Sequence, residues 1–202
     1  EIQRSAQISF LPGMGSNRQL GGMVENNISL NILAGYSGAV NGLEIGGLVN
    51  VTRQNVNGAQ IAGLGNITGG VVSGFQLGGF FNNNRGNING VQVAGFYNLV
   101  LDTVKGIQIA GFTNVLHGKM DGIQISGFSN VTTQDVDGVQ LTGFSNVAIG
   151  NVDMIQVAGF SNYGKNVGGG QISGFGNMAL GSVGGGQLSG FMNIAGSDIG
   201  GW

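Results

Sequence analysis

The sequence predicts an all-β fold: a single parallel β-solenoid of about ten 16-residue coils behind an N-terminal cap or docking segment. Three observations carry this. Gln60, Gln76, Gln92, Gln108, Gln124, Gln140 and Gln156 recur every 16 residues, followed by Gln171 and Gln187, with Glu44 one repeat earlier. Asparagine keeps the same step, from Asn50 and Asn66 through Asn114, Asn130 and Asn146 to Asn177 and Asn193. A short fixed period marks a repeat architecture, and a Gly-rich, β-branched repeat of this length cannot hold a pair of helices.

Residues 1–39 stand outside the period and are assigned as cap or docking strands; residues 40–202 form the solenoid of ten repeats. In the first segment "AQISFLPGM" and "NNISLNILAGYSG" read as strands, broken by Pro12-Gly13 and Gly21-Gly22. Within the repeat, three apolar columns are the expected core. One is aliphatic (Ile109, Ile125, Leu141 and equivalents). A second is aromatic from Phe80 onward, including Phe112, Phe128 and Phe144, and the third is mostly valine, such as Val104, Val136 and Val152. Gly111, Gly127 and Gly143 mark one bend, and Gly106, Gly122 and Gly138 a second corner. The Gln108, Gln124, Gln140 and Asn114, Asn130, Asn146 columns read as structural amide ladders, each side chain bonding its equal on the next rung. One residue is missing from the period around 163–167.

The ends suggest assembly. "SDIGGW" opens an eleventh coil, and a solenoid end exposes unpaired backbone that invites strand addition. Ile2, Ile8 and Phe10 of the first strand, with Ile199 and Trp202 at the other end, are the expected assembly interface. Joined end to end, copies of the chain would form a head-to-tail homopolymer. The rival topology is an antiparallel meander closed into an outer-membrane barrel, which the glycine in the middle of every candidate strand argues against.

Composition excludes other classes. The 43 glycines lack a three-residue period and there is one proline, so collagen is ruled out. Hydrophobic residues at 41% argue against a disordered chain. Seven scattered basic residues and a net charge of −2 give no footprint for nucleic acid. Without cysteine there is no disulfide or thiolate metal site. The first residue is Glu1 rather than Met, which fits removal of a signal peptide and a secreted or cell-surface location.

Chemistry finds little to work with. His117 shares a variable loop column with Arg53, Arg85 and Lys165 and reads as a solvated loop residue. "GGGQISG" lacks the lysine and helix of a phosphate loop. Asp121, Asp137 and Asp153 stand in one column, a weak candidate for a cation held by carboxylate oxygens. Thr52, Thr68 and Thr132 share a column too interrupted for an ice-binding face. The expectation is no enzyme, no cofactor and no small-molecule substrate.

The repeated "GxQxxGFxN", with "QISFLPGMGSN" and "NNISLNILAGYSG" before it, resembles the surface repeat proteins of Bacteroidota and related bacteria over nearly the whole chain. The resemblance implies an exported, surface-associated β-rich protein and brings no catalytic residues. Departures from the pattern are Glu44 for Gln, Leu48 and Leu64 for Phe, Met154 for Gly, and the shortened junction. Together these features predict a structural, self-assembling protein of an extracellular or cell-surface fibre. A binding or adhesion module using an exposed ladder face is the alternative.

Overall fold

In the computed structural model, which describes residues 2–200, the period of the sequence is the length of one coil. Each regular coil holds a longer strand, a two-residue bend, a four-residue strand and a turn. For the coil that starts at Met120 these are Met120–Ser126, 127–128, Ser129–Thr132 and 133–135. Successive coils pair in parallel, with Met120 beside Val136, Gln124 beside Gln140 and Asn130 beside Asn146, so like stacks on like. The longer and shorter strands belong to two different sheets. This is a parallel β-solenoid; the antiparallel barrel is excluded by the direction of every coil-to-coil pairing. Among the described residues no helix is long and apolar enough to cross a membrane.

The chain divides into two compact units, residues 1–102 and 103–202. In the first, β1 (Ile2–Leu11) pairs in parallel with β3 (Val24–Asn31), and β2 (Met14–Gly15) turns back antiparallel on β1. A 3-10 turn at Arg18–Met23 leads into β3. The coil pattern already operates in β1, where Gln7 aligns with Ser29, and Ser29 in turn aligns with Glu44. Asn17 plugs this end, donating to Gln7 Oε1 at 2.7 Å and to Asn26 Oδ1 at 3.0 Å.

In the second unit the longer strand keeps seven residues through Val136–Thr142, then shrinks to the four of Ile155–Ala158, Gly170–Ser173 and Gly186–Ser189. One substitution explains where this begins. The glycine column from Gly42 to Gly138 has φ between 126° and 159°, and a Cβ at Gly122 would strike the Gly106 carbonyl oxygen. Side chains rarely tolerate that backbone. Met154 takes the position in the next coil, so the strand breaks there and Val152 keeps only an isolated bridge to Val136 and Val167. These glycines therefore kink the long strand from within, instead of marking a second corner.

Two of the three columns expected in the core lie outside it. The valine column is interior as predicted, with Val104, Val136 and Val152 fully buried. The amides, however, share that interior: Gln108, Gln124, Gln140, Asn114, Asn130 and Asn146 all have zero exposure. Ile125 is 36% exposed and Phe128 42%. The aliphatic and aromatic columns thus lie outside and at the bend. Strand alternation supplies the reason, because Gln124 and Ile125 are adjacent and must face opposite ways. The amides are the members of each pair that the interior requires. The bend leaves backbone carbonyls short of partners, and Asn114 Nδ2 donates to Ile125 O at 2.7 Å as well as to Asn130 Oδ1 at 2.9 Å. An isoleucine could not satisfy those groups.

Candidate functional site

The two amide ladders run in opposite directions. Gln124 Nε2 donates back to Gln108 Oε1 at 2.8 Å, and Gln140 Nε2 donates back to Gln124 Oε1 at 2.8 Å. Asn130 Nδ2 instead donates forward to Asn146 Oδ1 at 3.0 Å. Thr132 adds a cross-link, giving its hydroxyl proton to Gln124 Oε1 at 3.0 Å. In the first unit Glu44 occupies the glutamine position and accepts from Asn31, Ser37, Thr52 and Gln60. Burial pushes its carboxyl above the ordinary value, with those four hydrogen bonds opposing the shift.

With polar groups inside, hydrocarbon is left outside. On the long-strand face of the second unit, Ile107, Ile123 and Val139 flank the buried glutamines on one side and Ile109, Ile125 and Leu141 on the other. The repeated I-Q-I alternation is the signal that could have placed both flanks outside.

At the bend the phenylalanines form rows. In the second unit Phe112, Phe128, Phe144, Phe160, Phe175 and Phe191 stack at centroid spacings of 4.7–4.9 Å with planes within 12° of parallel. Phe80 and Phe96 do the same in the first unit, at 4.8 Å and 4°. Within each row the ring faces are covered by neighbours, so the rows offer C–H edges outward, with an open ring face only at a row's end, as at Phe191. A sugar stacking on an aromatic needs an open ring face, whereas an apolar side chain packs against edges.

Charge gathers away from these rows, at the turn that starts each long strand. Lys119 forms an ion pair with Asp137. Hydrogen bonding from Lys119 holds the Asp137 carboxyl below its ordinary value, and the hydrogen bond with Asp137 raises that of Asp153. Asp121, Asp137 and Asp153 do not form a metal cage: no cluster of three or more His, Cys, Asp or Glu is assembled among the described residues. His117 is exposed and serves through its carbonyl, which accepts from the Thr133 hydroxyl at 2.7 Å.

At the ends, Ile2, Ile8 and Phe10 lie exposed on β1 and Ile199 is exposed in the last bridge, while Trp202 lies outside the described residues. β1 is already engaged within its own chain, through β3, β2 and the Asn17 plug.

Fold and surface together define a class: a parallel β-solenoid with an amide-laddered interior and an apolar outer face. Comparison with known proteins finds no matching family model, no matching curated protein and no matching solved structure.

Proposed function

We propose that the chain is a structural, non-catalytic protein that assembles side by side, the apolar outer face of one copy packing on that of another. The observation that supports this is the uncharged run of Ile107, Ile123, Ile109, Ile125 and Leu141 on a sheet face bordered by the phenylalanine row. Two such faces can pack as aligned sheets about 10 Å apart. The second unit contributes six strands to this sheet, three of seven residues and three of four; at ~4.8 Å per rung and ~3.3 Å per residue their face covers roughly 500 Å². With the phenylalanine row added, this approaches the ~800 Å² per partner of a stable interface.

A second copy fits better than a lipid surface. The charged column beside the face carries Asp121, Asp137 and Asp153, and the net charge is −2, which disfavours anionic headgroups. An exported, surface location and kinship with the Bacteroidota repeat proteins belong to the same proposal and rest on the repeat signature.

End-to-end joining is a second reading with its own observation. Each glutamine oxygen from Gln108 to Gln171 accepts the next amide, but Gln187 Oε1 is buried without a donor among the described residues. A coil stacking there would have to bring a side-chain donor.

Sedimentation velocity separates these readings. The wild-type chain should show concentration-dependent association, and Ile123→Lys with Ile125→Lys should reduce it to monomer with an unchanged circular dichroism spectrum. A wild-type chain that stays monomeric throughout would overturn the proposal. Association that survives the double lysine variant would favour end-to-end joining.

A further inference from the structure

Arg53 and Arg85 lie on the short-strand side of the first unit. Thr52 aligns with Thr68, and Thr68 with Asn84, so the residues that follow them, Arg53, Gly69 and Arg85, stack in one column over three coils. Two rungs of ~4.8 Å separate the arginine backbones by about 10 Å. Between them Gly69 contributes no side chain. The result is a cleft of about 260 Å³ lined by both arginines together with Tyr36, Val51, Ile67 and Asn83.

The charges in this cleft are uncompensated. Among the described residues the ion pair formed is Lys119–Asp137, and neither Arg53 nor Arg85 has a carboxylate within ion-pair distance. Both are exposed. The Asn83 side-chain amide makes no side-chain hydrogen bond among the described residues, leaving it available as a further donor. Val51 and Ile67 give the cleft an apolar wall, which strengthens a charge interaction beside it.

We propose that Arg53 and Arg85 bracket a tetrahedral oxyanion over Gly69, carried by its ligand as a phosphate or sulfate ester. An arginine side chain is long enough to lean one rung along the stack, so two forks can approach the same ion from opposite sides. A tetrahedral group presents oxygens to both forks. A planar carboxylate holds its acceptor sites in one plane, and so meets two forks well only where both lie in that plane. The site is independent of the assembly face, since it lies on the other sheet.

The test is titration of the intact chain with inorganic phosphate and, separately, inorganic sulfate at constant ionic strength set with chloride. Binding is read by calorimetry and by the arginine side-chain N–H resonances. Saturable binding that shifts the Arg53 and Arg85 signals is expected. Arg53→Gln and Arg85→Gln should each weaken it roughly tenfold or more, while Lys165→Gln leaves it unchanged. The tighter of the two ions identifies the ester. Absence of saturable binding for both ions, or binding that persists in both arginine variants with the fold intact by circular dichroism, would overturn the assignment.

Discussion

Replacing Gln124 by leucine and, separately, Ile125 by threonine sets the amide interior against the ordinary expectation for a core. Gln124 is fully buried; its Nε2 donates to Gln108, and its Oε1 accepts from Thr132 at 3.0 Å and Gln140 at 2.8 Å. Leucine fills a similar volume but removes all three bonds. Gln140 Nε2 keeps its 3.2 Å bond to Thr132 Oγ1. Gln108 Oε1 loses this donor, and the Thr132 hydroxyl proton loses its acceptor. At about 1–3 kcal/mol for the hydroxyl so deprived and about 0.5–1.5 kcal/mol for each of the two glutamine–glutamine bonds lost, the cost is roughly 2–6 kcal/mol. About two extra apolar carbons return some 1.5 kcal/mol, leaving a net loss of about 1–4 kcal/mol.

Ile125 is more than a third exposed, and its truncation to threonine leaves no interior cavity, so the expected cost is about 1 kcal/mol or less. Urea unfolding followed by far-UV circular dichroism measures both. With a slope of about 1–3 kcal/mol per molar, Gln124→Leu should lower the midpoint by roughly 1 M and Ile125→Thr by much less. The reverse order, with Gln124→Leu as stable as wild type and Ile125→Thr severely destabilised, would refute the amide interior.

Two further outcomes follow from single positions. Glu44 has a carboxyl pushed up by burial, so its folded value lies above its unfolded one. The stabilising contribution is therefore complete below the unfolded value and is lost as pH rises through the folded one. Glu44→Gln completes the ladder with a neutral amide and should raise the urea midpoint at pH 7 while flattening its decline with pH from the acid side; a lower midpoint at pH 7 would count against this. Met154→Gly restores the residue that adopts positive φ in the preceding coils. It should extend the long strand toward Val152, seen as slower hydrogen exchange at Asp153 and Ile155, and unchanged exchange would show that something other than Met154 breaks the strand.

The period, the parallel stacking and the ladders were legible because a repeat writes each column many times. What was misread is the side each column faces. Hydrophobicity ranks isoleucine and phenylalanine as interior, and that ranking usually wins because an unpaired buried amide is costly. Here the penalty disappears through pairing that no single repeat reveals: Asn114 reaches Ile125 O and Asn130, both in the following coil. The column containing Gly122 was likewise visible as glycine, but whether it turned a corner or kinked a strand depends on φ, which the residue name leaves open. The Arg53–Gly69–Arg85 cleft was hidden for another reason. Its members share a column that varies from coil to coil, and a column that varies reads as loop.

An interior built from opposed amide chains has a consequence for the exterior. A one-residue slip would exchange every inward and outward side chain, turning Gln124 out and Ile125 in and breaking both ladders at once. Register is thus enforced from inside, by the Gln108–Gln124–Gln140 and Asn114–Asn130–Asn146 chains. The outer positions are released from that duty, and serine or threonine would serve a solvated sheet face there as well as isoleucine does. The chain nevertheless repeats aliphatic residues at Ile107, Ile109, Ile123, Ile125, Val139 and Leu141, and phenylalanine at every bend from Phe80 to Phe191. In-register aliphatic pairs and stacked rings add to the stability of the sheet, but they do so at a solvated face; the proposed second copy would bury that apolarity, and the lysine substitutions on this face are the direct test of that step.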